Sequence, residues 1–380
     1  MRKDLSALFG DDRLSRSRKG RDRKGGRKMT LEEAIKQIQP LDQEARAYTR
    51  ARWNTLGKPL YSLGRLEEMV IDFAGIYRDK NPHLGKKAVI VMAADNGVVA
   101  EGVTQTGQEV TKTVTENMTK HNATICIMSG MSGADVYPVD IGIVTDCDNP
   151  KVISRKIKYG TDNMLKGPAM SREEAIKAIE VGIEMVGMLK EKGYNLFATG
   201  EMGIGNTSTS SAICAVLLDQ SVEKVTGKGA GLSSKDLEHK IEVIKESIAI
   251  NKVDKNDPLD VLSKVGGLDI AGLVGCFIGA AAMNVPIFID GFISSVAALL
   301  ATKLAPQCAP YLFPSHCSNE PAGRMVLDAM GKQPYILANM CLGEGTGAVM
   351  GFTIADYAFK AYWELPSFVQ TNFGTYEELD

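Results

Sequence analysis

The sequence predicts an α/β fold: a doubly wound, three-layer α/β/α core with a mainly parallel sheet, plus a small helical subdomain from both chain ends. Three observations predict it. Four short runs, KAVIVMAAD (87–95), VYPVDIG (136–142), NLFATGE (195–201) and VPIFIDG (285–291), are apolar nearly throughout and do not alternate. That pattern suits parallel strands covered on both faces. Helical segments fall between them, and strands alternating with helices build such a domain. Each run ends in Asp, Glu or Gly, so polar chemistry gathers at the strand carboxyl ends, outside which ligands bind in these sheets.

The elements follow in order. Residues 1–28 hold 11 Lys/Arg against 4 Asp, leaving 33 basic and 42 acidic residues for the rest of the chain. This basic stretch has little to bury and is expected to be a disordered tail. It reads as a solvated extension, as a contact for nucleic acid or another acidic partner, or as a transit peptide, which its aspartates disfavour. Residues 29–80 and 353–380 look helical and flank the core, 81–352, so the two ends are predicted to pack together. In 171–192, Ser171 and Glu174 form an S-x-x-E capping box, and Ala175, Ile176, Ile179, Ile183 and Val186 recur at helical spacing. Residues 270–283 are apolar throughout, yet shorter than the ~18–20 a membrane span needs. They read as a buried helix feeding the strand at 285–291. Neither a secretory signal nor an internal repeat is evident.

The seven cysteines contain no C-x-x-C pair, and several sit in apolar runs such as AICAVLL and VGCFIG. They read as free thiols in a reducing, cytoplasmic compartment. His83, His121, His239 and His316 lie far apart without H-E-x-x-H spacing, so no protein-bound metal is expected.

Four loops carry the polar chemistry. ADNGVVAEGVTQTGQEVT (94–111) offers carboxylates and hydroxyls around three glycines. In TGEMGIGNTSTSSA (199–212) a strand runs through Glu201 into glycines and a helix start, where backbone N–H groups meet anions. TGKGAGLS (226–233) precedes Lys240 on the following helix. LGEGTGAVMG (342–351) sets one carboxylate, Glu344, among glycines that let a ligand come close. There is no G-x-x-x-x-G-K-[ST], G-x-G-x-x-G or G-x-S-x-G. The spacing is wrong for a dinucleotide-dependent oxidoreductase. Together the loops suggest a phosphorylated small ligand and an acid/base carboxylate. Residue chemistry alone does not name the reaction.

GEMGIGNTS, VGGLDIAGLVG, IDGFISSVAAL, SHCSNEP and LGEGTGA, with YSLGRLE and EGVTQTGQEVT, resemble the nicotinate-nucleotide:dimethylbenzimidazole phosphoribosyltransferase family of cobalamin lower-ligand activation. The resemblance runs from about residue 40 to 352. It implies transfer of phosphoribose, with inversion, from nicotinate mononucleotide to an aromatic base: dimethylbenzimidazole, a related benzimidazole, a purine or a phenol. The products are nicotinate and an α-ribazole 5′-phosphate, with no cofactor. It also implies that Glu344 is the general base and Glu201 a second site carboxylate. Gly203, Asn206, Thr207, Gly227, Gly229, Lys240, Ser318 and Gly345 would bind the nucleotide. Glu101, Thr104, Gly107, Thr113 and Leu342 would shape the acceptor-base pocket. Ser294 and Ser295, which follow Asp290, would shape the site floor; the alternative for Asp290 and both serines is capping and turn bonds.

Departures cluster on the base side. Thr104 replaces a serine, Gly107 a proline, Thr113 a glutamine and Val114 a methionine; Asn96 stands where histidine is common, and EPAGR where EPGHR is usual. A dimer is expected, either of identical chains or with a paralogous one, and neither a membrane nor a nucleic-acid partner. The competing reading is a catalytically silent, nucleotide-binding partner subunit. The carboxylates at 344 and 201 argue for a competent enzyme.

Overall fold

The computed structural model describes residues 28–371 except Ala230, together with Gly374 and Tyr376. All but the last residue of the basic stretch 1–28 therefore lies outside the described residues. Six strands form one sheet: β1 (Lys86–Ala94), β2 (Ala134–Gly142), β3 (Ile153–Ser154), β4 (Tyr194–Met202), β5 (Ile287–Ile289) and β6 (Leu312–Pro314). Their order is β3-β2-β1-β4-β5-β6, and every neighbouring pair is parallel. Helices cover both faces, so the α/β expectation holds. The four apolar runs became β1, β2, β4 and β5. β3 and β6 have two and three residues, too short to leave a pattern.

The strand order reverses between β1 and β4, which opens a crevice at their carboxyl ends. The helix Arg172–Glu191 starts at the predicted capping box. It lies so close to the helix Leu268–Ala282 that a Cβ on Gly275 would come within 1.8 Å of the Ile179 carbonyl oxygen. Every residue of Leu268–Ala282 is buried, and β5 follows, as the apolar run 270–283 predicts. No helix among the described residues is long and apolar enough to cross a membrane.

Helices from the two ends meet, as expected. Trp53 packs on Tyr362 with centroids 5.0 Å apart, and Arg52 lies over the rings of Tyr362 and Trp363. Phe73 touches Phe359 from this layer and Phe313 from the sheet, so one apolar core joins both. The helix Thr346–Glu364 is continuous through residue 352. It runs from the sheet's carboxyl end into the terminal layer.

Candidate active site

A pocket of about 300 Å³ opens at the carboxyl ends of the strands, beside the point where their order reverses. Loops after β1, β4, β5 and β6 and the stretch 341–344 supply its walls.

Glu344 stands in the last of these. Gly343, Glu344 and Gly345 have φ of +92°, +61° and +98°. A non-glycine residue there is strained by about 1–3 kcal/mol and persists only where its surroundings dictate it. Asp290, just past β5, does so. Its Oδ2 accepts from the N–H of Gly345 at 3.1 Å, and its Oδ1 from Gly347 and Ala348 at 2.8 and 3.0 Å. Burial raises the Asp290 carboxyl, while His316 and the N–H groups of Ala348, Gly291 and Gly345 draw it back down. Glu344 Oε2 accepts from the N–H of Ile125 at 3.1 Å, at the start of the helix Thr124–Ser132, where N–H groups favour a negative side chain. Among the described residues no hydrogen bond reaches Oε1 of Glu344, which belongs to the pocket lining.

Glu201, at the end of β4, is buried. Burial first, then Asp269, pushes its carboxyl up to about 8. Asn206 Nδ2 donates to its Oε2, and also to Asp269 Oδ2 at 3.0 Å. Gly343 is glycine for a second reason: a Cβ there would lie 2.2 Å from Glu201 Oε1. Two carboxylates thus border one space.

A cation borders it too. Lys240, 1 % exposed, comes from the helix Ser234–Asn251. Its Nζ donates to Thr207 Oγ1 at 2.8 Å and to the Gly227 carbonyl at 3.3 Å. Both acceptors are neutral, so burial brings the ammonium down to about 8. Glu320, also in the lining, opposes that shift. Gly229 packs against Thr207 and Lys240, and Ser318 Oγ accepts from the Glu320 N–H at 3.3 Å. A buried ammonium with spare donor capacity and no strong acceptor suits an anion.

Of the residues singled out from sequence, Glu344, Glu201, Gly203, Asn206, Thr207, Gly229, Lys240, Ser318, Thr104, Leu342, Asp290 and Ser294 line the pocket. The others stand behind or beside it. Gly345 serves the Asp290 clamp. Gly227 receives Lys240 and makes room for Glu320, whose Oε2 would be 2.0 Å from a Cβ. Ser295 bonds the Gly291 carbonyl within its own helix. Glu101 is held by Asn163. Gly107 lies against the Glu109 carboxyl. Thr113 points outward, bonding the Glu109 carbonyl, while its neighbour Val114 faces in. His316, Glu320 and Val103 line the pocket without having been singled out. The first two sit inside the SHCSNEP motif, so the signal was present. Among the described residues no group of three His, Cys, Asp or Glu is placed to hold a metal ion.

Comparison with known proteins bears on this arrangement. A family model, DBI_PRT, described as Phosphoribosyltransferase, matches residues 38–372. The chain belongs to this phosphoribosyltransferase family. It is an enzyme of the pentosyltransferase type. It is 51% identical over 352 residues to the nicotinate-nucleotide–dimethylbenzimidazole phosphoribosyltransferase of Ruminiclostridium cellulolyticum, covering 93% of this chain and 100% of that one. It is 48% identical to the protein of that name from Acetivibrio thermocellus, covering 92% and 97%. A crystal structure of CobT from Thermus thermophilus superposes with a TM-score of 0.83 at 36% identity, covering 87% of this chain and 99% of that one.

Proposed function

We propose that this phosphoribosyltransferase moves phosphoribose from nicotinate mononucleotide to dimethylbenzimidazole or a related aromatic base, with inversion. One observation carries the reading: two carboxylates, Glu344 and Glu201, and a buried ammonium, Lys240, share the pocket beside the strand reversal. The names of the relatives above supply the substrates.

The chemistry follows from the charges. The 5′-phosphate sits by Lys240, a point charge with neutral partners. The pyridinium supplies the cation that the carboxylate side of the pocket lacks, and draws Glu201 toward its charged form. The C1′–N bond to nicotinate breaks, and its electron pair neutralises the pyridinium, so the leaving group needs no acid. The azole's imine-type nitrogen bonds C1′ from the opposite face through its lone pair, and the N–H proton on the other ring nitrogen passes to Glu344. Oε2 of that residue is anchored to Ile125, leaving Oε1 to take the proton. A base of this kind contributes ~10²–10⁴ in rate. Val103, Val114, Met202 and Phe292 give the lining an apolar part suited to an aromatic ring.

The chain acts as a dimer in this reading. Exposed Ile127 and Met131 on the helix that Glu344 caps, at 70% and 89%, support a covered face there. Its free cysteines fit a reducing cytoplasm. The anomeric configuration of the product, read by NMR, tests the transfer: α is expected, and a β product contradicts direct displacement.

A further inference from the structure

Behind the pocket wall lies a polar cluster that the transfer steps do not touch. Asp269 is the second residue of the helix Leu268–Ala282 and is fully buried. One amide nitrogen, Asn206 Nδ2, holds both its Oδ2 and the Oε2 of Glu201. Among the described residues no hydrogen-bond partner reaches the other oxygen, Asp269 Oδ1, and none reaches Asn96 Oδ1. The two flank one point: a Cβ on Gly267 would lie 2.4 Å from the first and 2.6 Å from the second. The Asn96 amide nitrogen donates to the Ile204 carbonyl at 3.4 Å and stands on the side of Asp269 Oδ2, so it does not serve Oδ1: a Cβ on Gly203 would lie 3.2 Å from that nitrogen and 2.7 Å from Oδ2. A buried acceptor left without a donor costs about 1–3 kcal/mol. One proton on Asp269 would give both oxygens a partner.

We propose that Asp269 is a positioning residue that works as a neutral carboxylic acid, donating to Asn96 Oδ1 and holding the Asn206 amide that orients Glu201. The inference rests on the reading of Glu201 as a site carboxylate. The groups facing the pair are carboxyls: Asp95 after β1, Asp290 after β5, and Glu344. The cations nearby are committed elsewhere. Lys156 pairs with Asp140 at 2.9 Å, and Lys240 turns to Thr207 and Gly227. The first-turn N–H groups of Asp269 and Ile270 and the Asn206 amide favour the ionised form, but burial outweighs them and lifts Asp269 to about 7.

Asp269→Asn tests this, because the amide can make the same two bonds as the neutral acid: it accepts from Asn206 and donates to Asn96. Asp269→Ala makes neither. Nicotinate release by the full chain, with dimethylbenzimidazole as acceptor, is followed from about pH 6 to about pH 9. At the acid end Asp269→Asn keeps kcat within about threefold of wild type, while Asp269→Ala loses ~10² in kcat with little change in KM, the scale of a misplaced group. At saturating nicotinate mononucleotide, where weakened binding at Lys240 does not show, wild-type kcat falls as Asp269 ionises, and Asp269→Asn loses that limb. An Asp269→Asn protein as slow as Asp269→Ala at the acid end overturns the proposal, as does an unchanged alkaline limb. Infrared difference spectra between the same pH values give a readout apart from turnover. A protonated-carboxyl band that titrates near neutrality persists in Glu201→Gln, and its absence there overturns the neutral acid. Wild-type turnover by Glu201→Gln would instead remove the reading of Glu201, with the infrared result standing.

Discussion

Asp290→Asn should disable the enzyme by loosening the turn that holds Glu344. The carboxylate takes three N–H groups at the start of the helix Thr346–Glu364: Gly345 on one oxygen, Gly347 and Ala348 on the other. An amide has one oxygen. Kept on Gly347 and Ala348, it turns its NH₂ toward the Gly345 N–H, donor against donor in a buried place. One orphaned buried donor costs about 1–3 kcal/mol. The left-handed backbone of Glu344 stores strain of the same order. The restraint lost therefore matches the strain it was holding, and the 343–345 turn relaxes. A displacement of about 1 Å in a reacting group lowers rate ~10²-fold. The expected result is kcat down ~10², KM for nicotinate mononucleotide changed by less than about threefold, and melting lowered by a few degrees. Steady-state nicotinate release and a thermal melt measure all three. Wild-type kcat alongside a lowered melting temperature would refute the reasoning, since the turn would then place Glu344 without its clamp.

Three further predictions follow from the buried charges. Lys240→Met removes the counter-charge proposed for the phosphate, and truncating such a buried charged partner costs about 2–5 kcal/mol. Calorimetry should show nicotinate mononucleotide binding ~30- to several-thousand-fold more weakly, with the unphosphorylated riboside little affected; equal losses for both ligands would contradict the phosphate role. Wild-type affinity for the mononucleotide should weaken above about pH 8, where Lys240 loses its proton. Asp269 and Glu201, raised from 3.8 to about 7 and from 4.5 to about 8, make the ligand-free fold lose stability as pH rises. The unfolded chain ionises first and the fold holds more protons, so their contribution is whole below about pH 4 and gone above about pH 8. Urea melts in pH steps should show that fall, with its upper part flattened in Glu201→Gln; a flat wild-type profile would contradict it.

The sheet was legible because β1, β2 and β4 are nine residues each and apolar enough to read as buried on both faces. β6, three residues ending in Pro314, carries no such pattern. The glycine-flanked carboxylate at 344 announced itself, since few side chains tolerate that turn. What holds it was less plain: Asp290 stands 54 residues earlier, and only the fold brings it to the helix start. Asp269 was hidden for the same reason, as a single acid at the head of an apolar run that reads as core. On the base side the helix Glu109–Met118 decided the outcome. Its period turns Thr113 to solvent and Val114 inward, a difference of one residue that motif position does not resolve.

The central claim is that Glu344 takes the acceptor's proton as phosphoribose leaves nicotinate. Its most direct test is nicotinate release from nicotinate mononucleotide by the purified chain and by Glu344→Gln, offered dimethylbenzimidazole, adenine and phenol in parallel. Glutamine can keep the bond to Ile125, so the turn survives and only the base is lost. Base-dependent release by wild type, slowed ~10²–10⁴-fold in Glu344→Gln, is the predicted result. Release at the wild-type rate from Glu344→Gln, or no base-dependent release from the wild-type chain, would contradict it.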